Sequence, residues 1–150
     1  MTVTLAGEER EVALAEIEAV RASARGDYRT LLDLTADAVE SGQELSDDQA
    51  LELDRIVSLG LQTGRIRALY GPGGEQAALR AYRRLPGGTE VAASAKAVNE
   101  ALAALAGRSL DQVSVAAVGP GAFTLSLVAG GAELTVRLDG QGARLATVGV

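Results

Sequence analysis

The feature that most constrains this chain is a change of hydrophobic period at Ser109. Before it, apolar residues recur every three or four positions; after it, they alternate one in, one out. Two glycine turns in the alternating part fix registers that can be compared. A two-residue turn at Gly130-Gly131 sets Phe123 opposite Leu138, Leu125 opposite Val136 and Leu127 opposite Leu134. A three-residue turn at Gly119-Pro120-Gly121 sets Val113, Val115 and Ala117 opposite Leu127, Leu125 and Phe123. Both put the same large residues on one face, and a slip of one residue would turn all of them to the other. A fourth strand is expected from Arg144 to Val150, where Leu145 competes with Ala146, Val148 and Val150 for the inward face. Thr2-Val3-Thr4-Leu5 also alternates and is a candidate edge strand.

The earlier part reads as five helices. Val12, Leu14, Ile17 and Val20 define the first, with Gly26 as its left-handed terminator. Asp27 is placed to cap the second, whose stripe of Leu31, Leu32, Leu34, Ala38 and Val39 ends at Ser41-Gly42. Ser46 and Gln49 form a capping box that opens the third, which runs toward Tyr70 with a weak point or break at Gly64. Gly71-Pro72-Gly73-Gly74 is expected to leave the helix, and Glu75 to Leu85 to form a fourth. After Pro86-Gly87-Gly88, Thr89 is expected to cap a fifth with Val91, Ala95, Val98, Leu102 and Leu105 inward, closed by Gly107. The fold class is α+β: residues 1–108 mainly helical, residues 109–150 an antiparallel meander of three to four strands packed on the last helix. One domain over residues 1–150 is expected at this length.

The chain has neither Cys nor His. That excludes disulfides, thiolate and imidazole metal sites, cysteine nucleophiles and Ser-His-Asp triads. No metal or cofactor is expected, and an enzyme working with carboxylates, tyrosines or Lys96 is the least favoured class. The amino terminus has no basic segment leading into an apolar one, and no stretch approaches the roughly 20 apolar residues of a membrane span, so a soluble cytoplasmic protein is expected. Thirteen arginines against one lysine, with abundant Ala and Gly, suggest a bacterial genome rich in G and C.

The net charge of −6 is unevenly spread. Residues 1–64 carry fourteen acids against five arginines; residues 65–84 carry five arginines against Glu75 alone. Arg65, Arg67, Arg80, Arg83 and Arg84, flanked by Tyr70 and Tyr82, are therefore the candidate site for an anionic phosphate or carboxylate metabolite. The structural reading of the same arginines is pairing with acids of the first two helices. Nucleic acid is disfavoured by the acidic remainder, and the carboxylates Glu40, Glu44, Asp47, Asp48, Glu52 and Asp54 match no calcium loop. On the registers above, the outer sheet face shows Ser114, Ala116, Val118, Thr124, Ser126, Val128, Glu133, Thr135 and Arg137. It is small and nearly uncharged, and Thr124, Ser126, Val128 and Thr135 are its candidate interface residues. The expected function is a non-enzymatic protein–protein interaction or scaffold protein that forms a homodimer through its sheet and presents its surface to another protein.

Overall fold

The computed structural model describes residues 2–149. Five helices, α1 (Gly7–Arg21), α2 (Gly26–Ser41), α3 (Asp47–Gln62), α4 (Arg65–Arg84) and α5 (Pro86–Ala103), precede four strands, β1 (Gln112–Gly119), β2 (Ala122–Ala129), β3 (Ala132–Asp139) and β4 (Gly142–Gly149). The chain divides into two compact units, one up to Thr89 and one from Glu90, so most of α5 goes with the sheet rather than with the other helices.

In the first unit, amphipathic helices bury one stripe each. Ile17 of α1, Leu32 of α2, Leu53 of α3, Ile66 of α4 and Leu85 beyond it are wholly enclosed. Gly42 ends α2 in the left-handed conformation, as its position after Ser41 predicts. The capping box also forms: Ser46 Oγ accepts from the Gln49 amide and Gln49 Oε1 from the Ser46 amide. The break foreseen at Gly64 separates α3 from α4, with Gly64 at φ 75°.

Other helix boundaries differ from expectation. Gly26 does not terminate α1, which stops at Arg21; it opens α2 with φ 61°, and Asp27 sits in the first turn while Arg25 holds the cap position. Gly71 alone leaves the helical region; Pro72, Gly73 and Gly74 resume it, because proline's fixed φ suits a first helical position. For the same reason Pro86 begins α5, and the Thr89 hydroxyl donates to the Pro86 carbonyl rather than capping from outside. Residues 2–5 form no strand: Val3 and Leu5 are buried in the helical core, and the Val3 carbonyl accepts from the Leu45 amide.

The second unit is a meander in the order β1-β2-β3-β4, all antiparallel. Both hairpin registers are those expected from the turns. The competition in β4 is resolved by a bulge: Thr147 pairs with Thr135 and Leu145 with Val136, so Ala146 is the extra residue. Leu145 and Val148 thereby share the inward face, while Val150 lies outside the described residues. The registers produce three apolar rows across one face: Val113-Leu127-Leu134-Val148, Val115-Leu125-Val136-Leu145 and Ala117-Phe123-Leu138-Ala143. Helix α5 packs on this face through Val98, Ala101 and Leu102, burying Leu127, Leu134 and Val136; it stops at Ala103 rather than at Gly107, and Leu105 joins the same cluster from the turn that follows. The Ser94 hydroxyl donates to the Ala143 carbonyl beside it.

Two glycines at the start of α5 are there for space. A Cβ on Gly87 would lie 2.7 Å from Asp54 Oδ2, and one on Gly88 would fall inside the Tyr82 carbonyl oxygen. Gly88→Ala is therefore expected to lower stability by about 1–3 kcal/mol, as overpacking does. Gly73→Ala, at a helical site with nothing within 4 Å of the new methyl, should raise it by about 0.5–1 kcal/mol. Urea unfolding of the two variants checks both signs.

Candidate functional site

The arginine segment is brought against α1. Arg65 Nη1 donates to Glu16 Oε2, Arg80 Nη2 donates to Glu8 Oε2 at 3.0 Å, and Arg80 and Arg84 stand 3.7 and 3.5 Å from the Glu9 carboxylate. Arg84 also donates to the Thr4 carbonyl at 3.3 Å. Arg67 pairs within α4, with Glu75 at 3.4 Å, and Arg83 is exposed. Tyr70 and Tyr82 both pack against the helical core. The five arginines do not converge on a single point: Arg65 lies near Glu16, Arg80 and Arg84 near the start of α1.

Glu16 is the focus of the strongest polar network. Its side chain is 2% exposed, so the carboxylate must be paired where it stands. Arg65 satisfies Oε2, and the Tyr70 hydroxyl donates to Oε1 at 2.7 Å. Gly60 makes room for this, since a Cβ there would meet Glu16 Oε2 at 3.0 Å and Ile66 Cδ1 at 2.7 Å. Burial, and then the hydrogen bond to Glu16, hold the Tyr70 hydroxyl above the ordinary tyrosine range.

A second network joins α2 to α3. The Tyr28 hydroxyl donates to Glu52 Oε1 at 2.5 Å, and Arg55 Nη2 donates to the same oxygen at 2.5 Å. The Arg55 guanidinium carbon lies 5.9 Å from the Tyr28 ring centre. Burial pushes the Glu52 carboxyl upward, but the hydrogen bonds from Arg55 and Tyr28 outweigh it, and the net shift is down.

Between α1 and α3 lies a cleft of about 500 Å³ lined by Glu16, Ala19, Val20, Ser23, Arg55, Ile56, Leu59, Gly60, Thr63 and Arg65. Sequence reading singled out Arg65 but missed Arg55 and Glu16. The available signal was the Glu52/Arg55 spacing of three residues, which pairs them on one helix face.

Thr124, Ser126, Val128 and Thr135 are half-buried in the two central strands, on the sheet face opposite α5. Among the described residues no group of three or more carboxylates is placed to hold a metal ion, and no helix is long and apolar enough to cross a membrane.

Replacing Arg65 by Gln strands the Glu16 carboxylate. The expected cost is about 2 kcal/mol in chemical unfolding, below the 3–5 kcal/mol of a wholly buried pair because Arg65 is 40% exposed. The Tyr70 phenol, raised in the folded state, stabilises the fold below the unfolded tyrosine pKa of about 10 and loses that contribution as pH climbs through the folded value. A residue-resolved NMR titration should show Tyr70 ionising after free tyrosine.

Comparison with protein-family models, with curated proteins and with solved structures found no match to this chain.

Proposed function

We propose that this is a non-enzymatic protein–protein interaction or scaffold protein that associates with a second copy of itself along strand β1. The observation that carries the reading is β1 itself, an edge strand of eight residues that is exposed throughout and contains no charged side chain. Free strand edges in natural proteins are usually blunted by charge, proline or a bulge. The opposite edge, β4, has such devices in Arg144 and the bulge at Ala146; β1 has a paired-side irregularity only at its end, between Ala117 and Gly119.

Charge supports a second copy as the occupant. Two chains of net charge −6 repel each other, and an uncharged strand is where they approach with least opposition. Antiparallel pairing of β1 with its own copy is compatible with two-fold symmetry and satisfies the free backbone groups of both strands. It also sets the exposed Val113 and Val115 of the two copies beside one another on the same face. The half-buried Thr124, Ser126, Val128 and Thr135 would then belong to one continuous outer face, the surface offered to a further protein. The arginines at the end of α4 have carboxylates beside them, and this supports a structural role for Arg80 and Arg84.

Light scattering coupled to size exclusion at about 100 µM protein should give a dimer that persists at about 0.5 M salt, where ionic contacts between exposed groups are screened. Val115→Lys, at a side chain that is 64% exposed, brings like charges to the paired edge and should return the monomer with unchanged circular dichroism. A wild-type monomer at this concentration, or a dimer that survives the substitution, overturns the reading.

A further inference from the structure

We propose that the cleft between α1 and α3 is a binding site for a small amphipathic carboxylate, its head held by Arg55 and Arg65 and its apolar body lying on Val20, Ile56 and Leu59. This inference is independent of self-association, since every lining residue lies in the helical unit.

The cleft has the constitution of a ligand site. Its volume of about 500 Å³ falls within the range that small-molecule pockets occupy, and its lining sets the apolar Val20, Ile56 and Leu59 beside a set of polar groups. Among those groups are two guanidiniums, Arg55 and Arg65, each paired with one carboxylate, Glu52 and Glu16. What they offer a ligand is their remaining N–H donors, which suit the two oxygens of a carboxylate. The carboxylate within the lining, Glu16, is 2% exposed and already accepts from Arg65 and Tyr70, which leaves it little capacity to repel an anion at the mouth.

The arginines are suited to share a ligand. Arg65 uses Nη1 on Glu16, and two-fifths of its side chain remains exposed. Arg55 is held through Nε and Nη2 by Glu52 and Tyr28, and over half of its side chain is exposed. Each is thus fixed by its own carboxylate before any ligand arrives, which reduces the ordering cost of binding. A planar guanidinium matches a carboxylate with paired N–H donors. The hydroxyls of Ser23 and Thr63, just beyond α1 and α3, donate to the Val20 and Leu59 carbonyls of those helices, so they have no free proton with which to demand a second polar group. Leu59 is 55% exposed at the cleft and unexplained by core packing; an apolar ligand body covers it. The preferred class is therefore one acidic head on a short hydrocarbon or aromatic body, rather than a polyphosphate or sugar.

The test uses the full-length protein labelled with ¹⁵N and titrated with octanoate, with octan-1-ol as the neutral control. Octanoate should produce saturable amide shifts at Ala19, Val20, Ser23, Leu59 and Thr63, and octan-1-ol should bind at least about tenfold more weakly, the factor expected for loss of a charged hydrogen bond. Arg55→Gln should weaken octanoate by a similar factor. Leu59→Glu, at an exposed position that leaves the fold intact, should abolish the shifts and so tests the site even where the arginine variant is unstable. Equal binding of acid and alcohol, shifts confined to the sheet, or no saturation by about 10 mM octanoate would each overturn the proposal.

Discussion

A carboxylate buried at Glu16 governs how the helical unit is assembled. An ionised group removed from water must find charge and hydrogen-bond partners, and the cost of failing is several kcal/mol. The partners here come from 49 and 54 residues along the chain, Arg65 at the first residue of α4 and Tyr70 one turn later. Satisfying both at once fixes α4 in rotation and along its axis relative to α1. It also obliges α3 to be slim where it passes, which is why residue 60 lacks a side chain. Such a pair adds little net stability over an apolar substitute, but a packing that misplaced it would be heavily penalised, so its chief effect is to select one arrangement of three helices.

The same interaction explains where sequence reading reached and where it stopped. The capping box at Ser46 and Gln49 was legible because both hydrogen bonds are made within four residues. The hairpin registers were legible because each turn and each alternating strand had to agree. Gly26 and Thr89 were misread because their residue types suit either side of a helix boundary, and the choice was made elsewhere. At the start of α5 it was made by close approach, with Gly88 lying against the Tyr82 carbonyl and Gly87 beside Asp54. In β4 two incompatible apolar sets were both present, and a bulge at Ala146 reconciled them; alternation alone has no means of announcing an extra residue.

Charge was legible by segment and not by residue. The excess of arginine in residues 65–84 against the acids before it correctly implied attraction, and Arg65, Arg80 and Arg84 do meet carboxylates of α1. What the count could not supply was the partition, in which Glu9 and Glu16 are buried and Glu8 lies at the surface. Arg55 was hidden by the opposite bias, a single cation in a strongly acidic stretch. Its position between α2 and α3 depends on Tyr28, 27 residues away.

The sheet presents a problem of width that its helix does not solve. Strands stand about 4.8 Å apart, so the outer two of four are separated by roughly 14 Å, while a helix with its side chains is about 10 Å across. One helix therefore shelters the two central strands. In the row Val113-Leu127-Leu134-Val148 the inner pair is buried, while the end members are 54% and 63% exposed; in the row Ala117-Phe123-Leu138-Ala143 even the inner pair is exposed. Polar residues at the ends of the rows would have removed the exposure at no cost to the core, since those positions touch it least. Valine stands there instead at both edges, Val113 on β1, which carries no charge, and Val148 on β4, which carries Arg144, so each end of the row presents an apolar side chain to water, the neighbour it suits least.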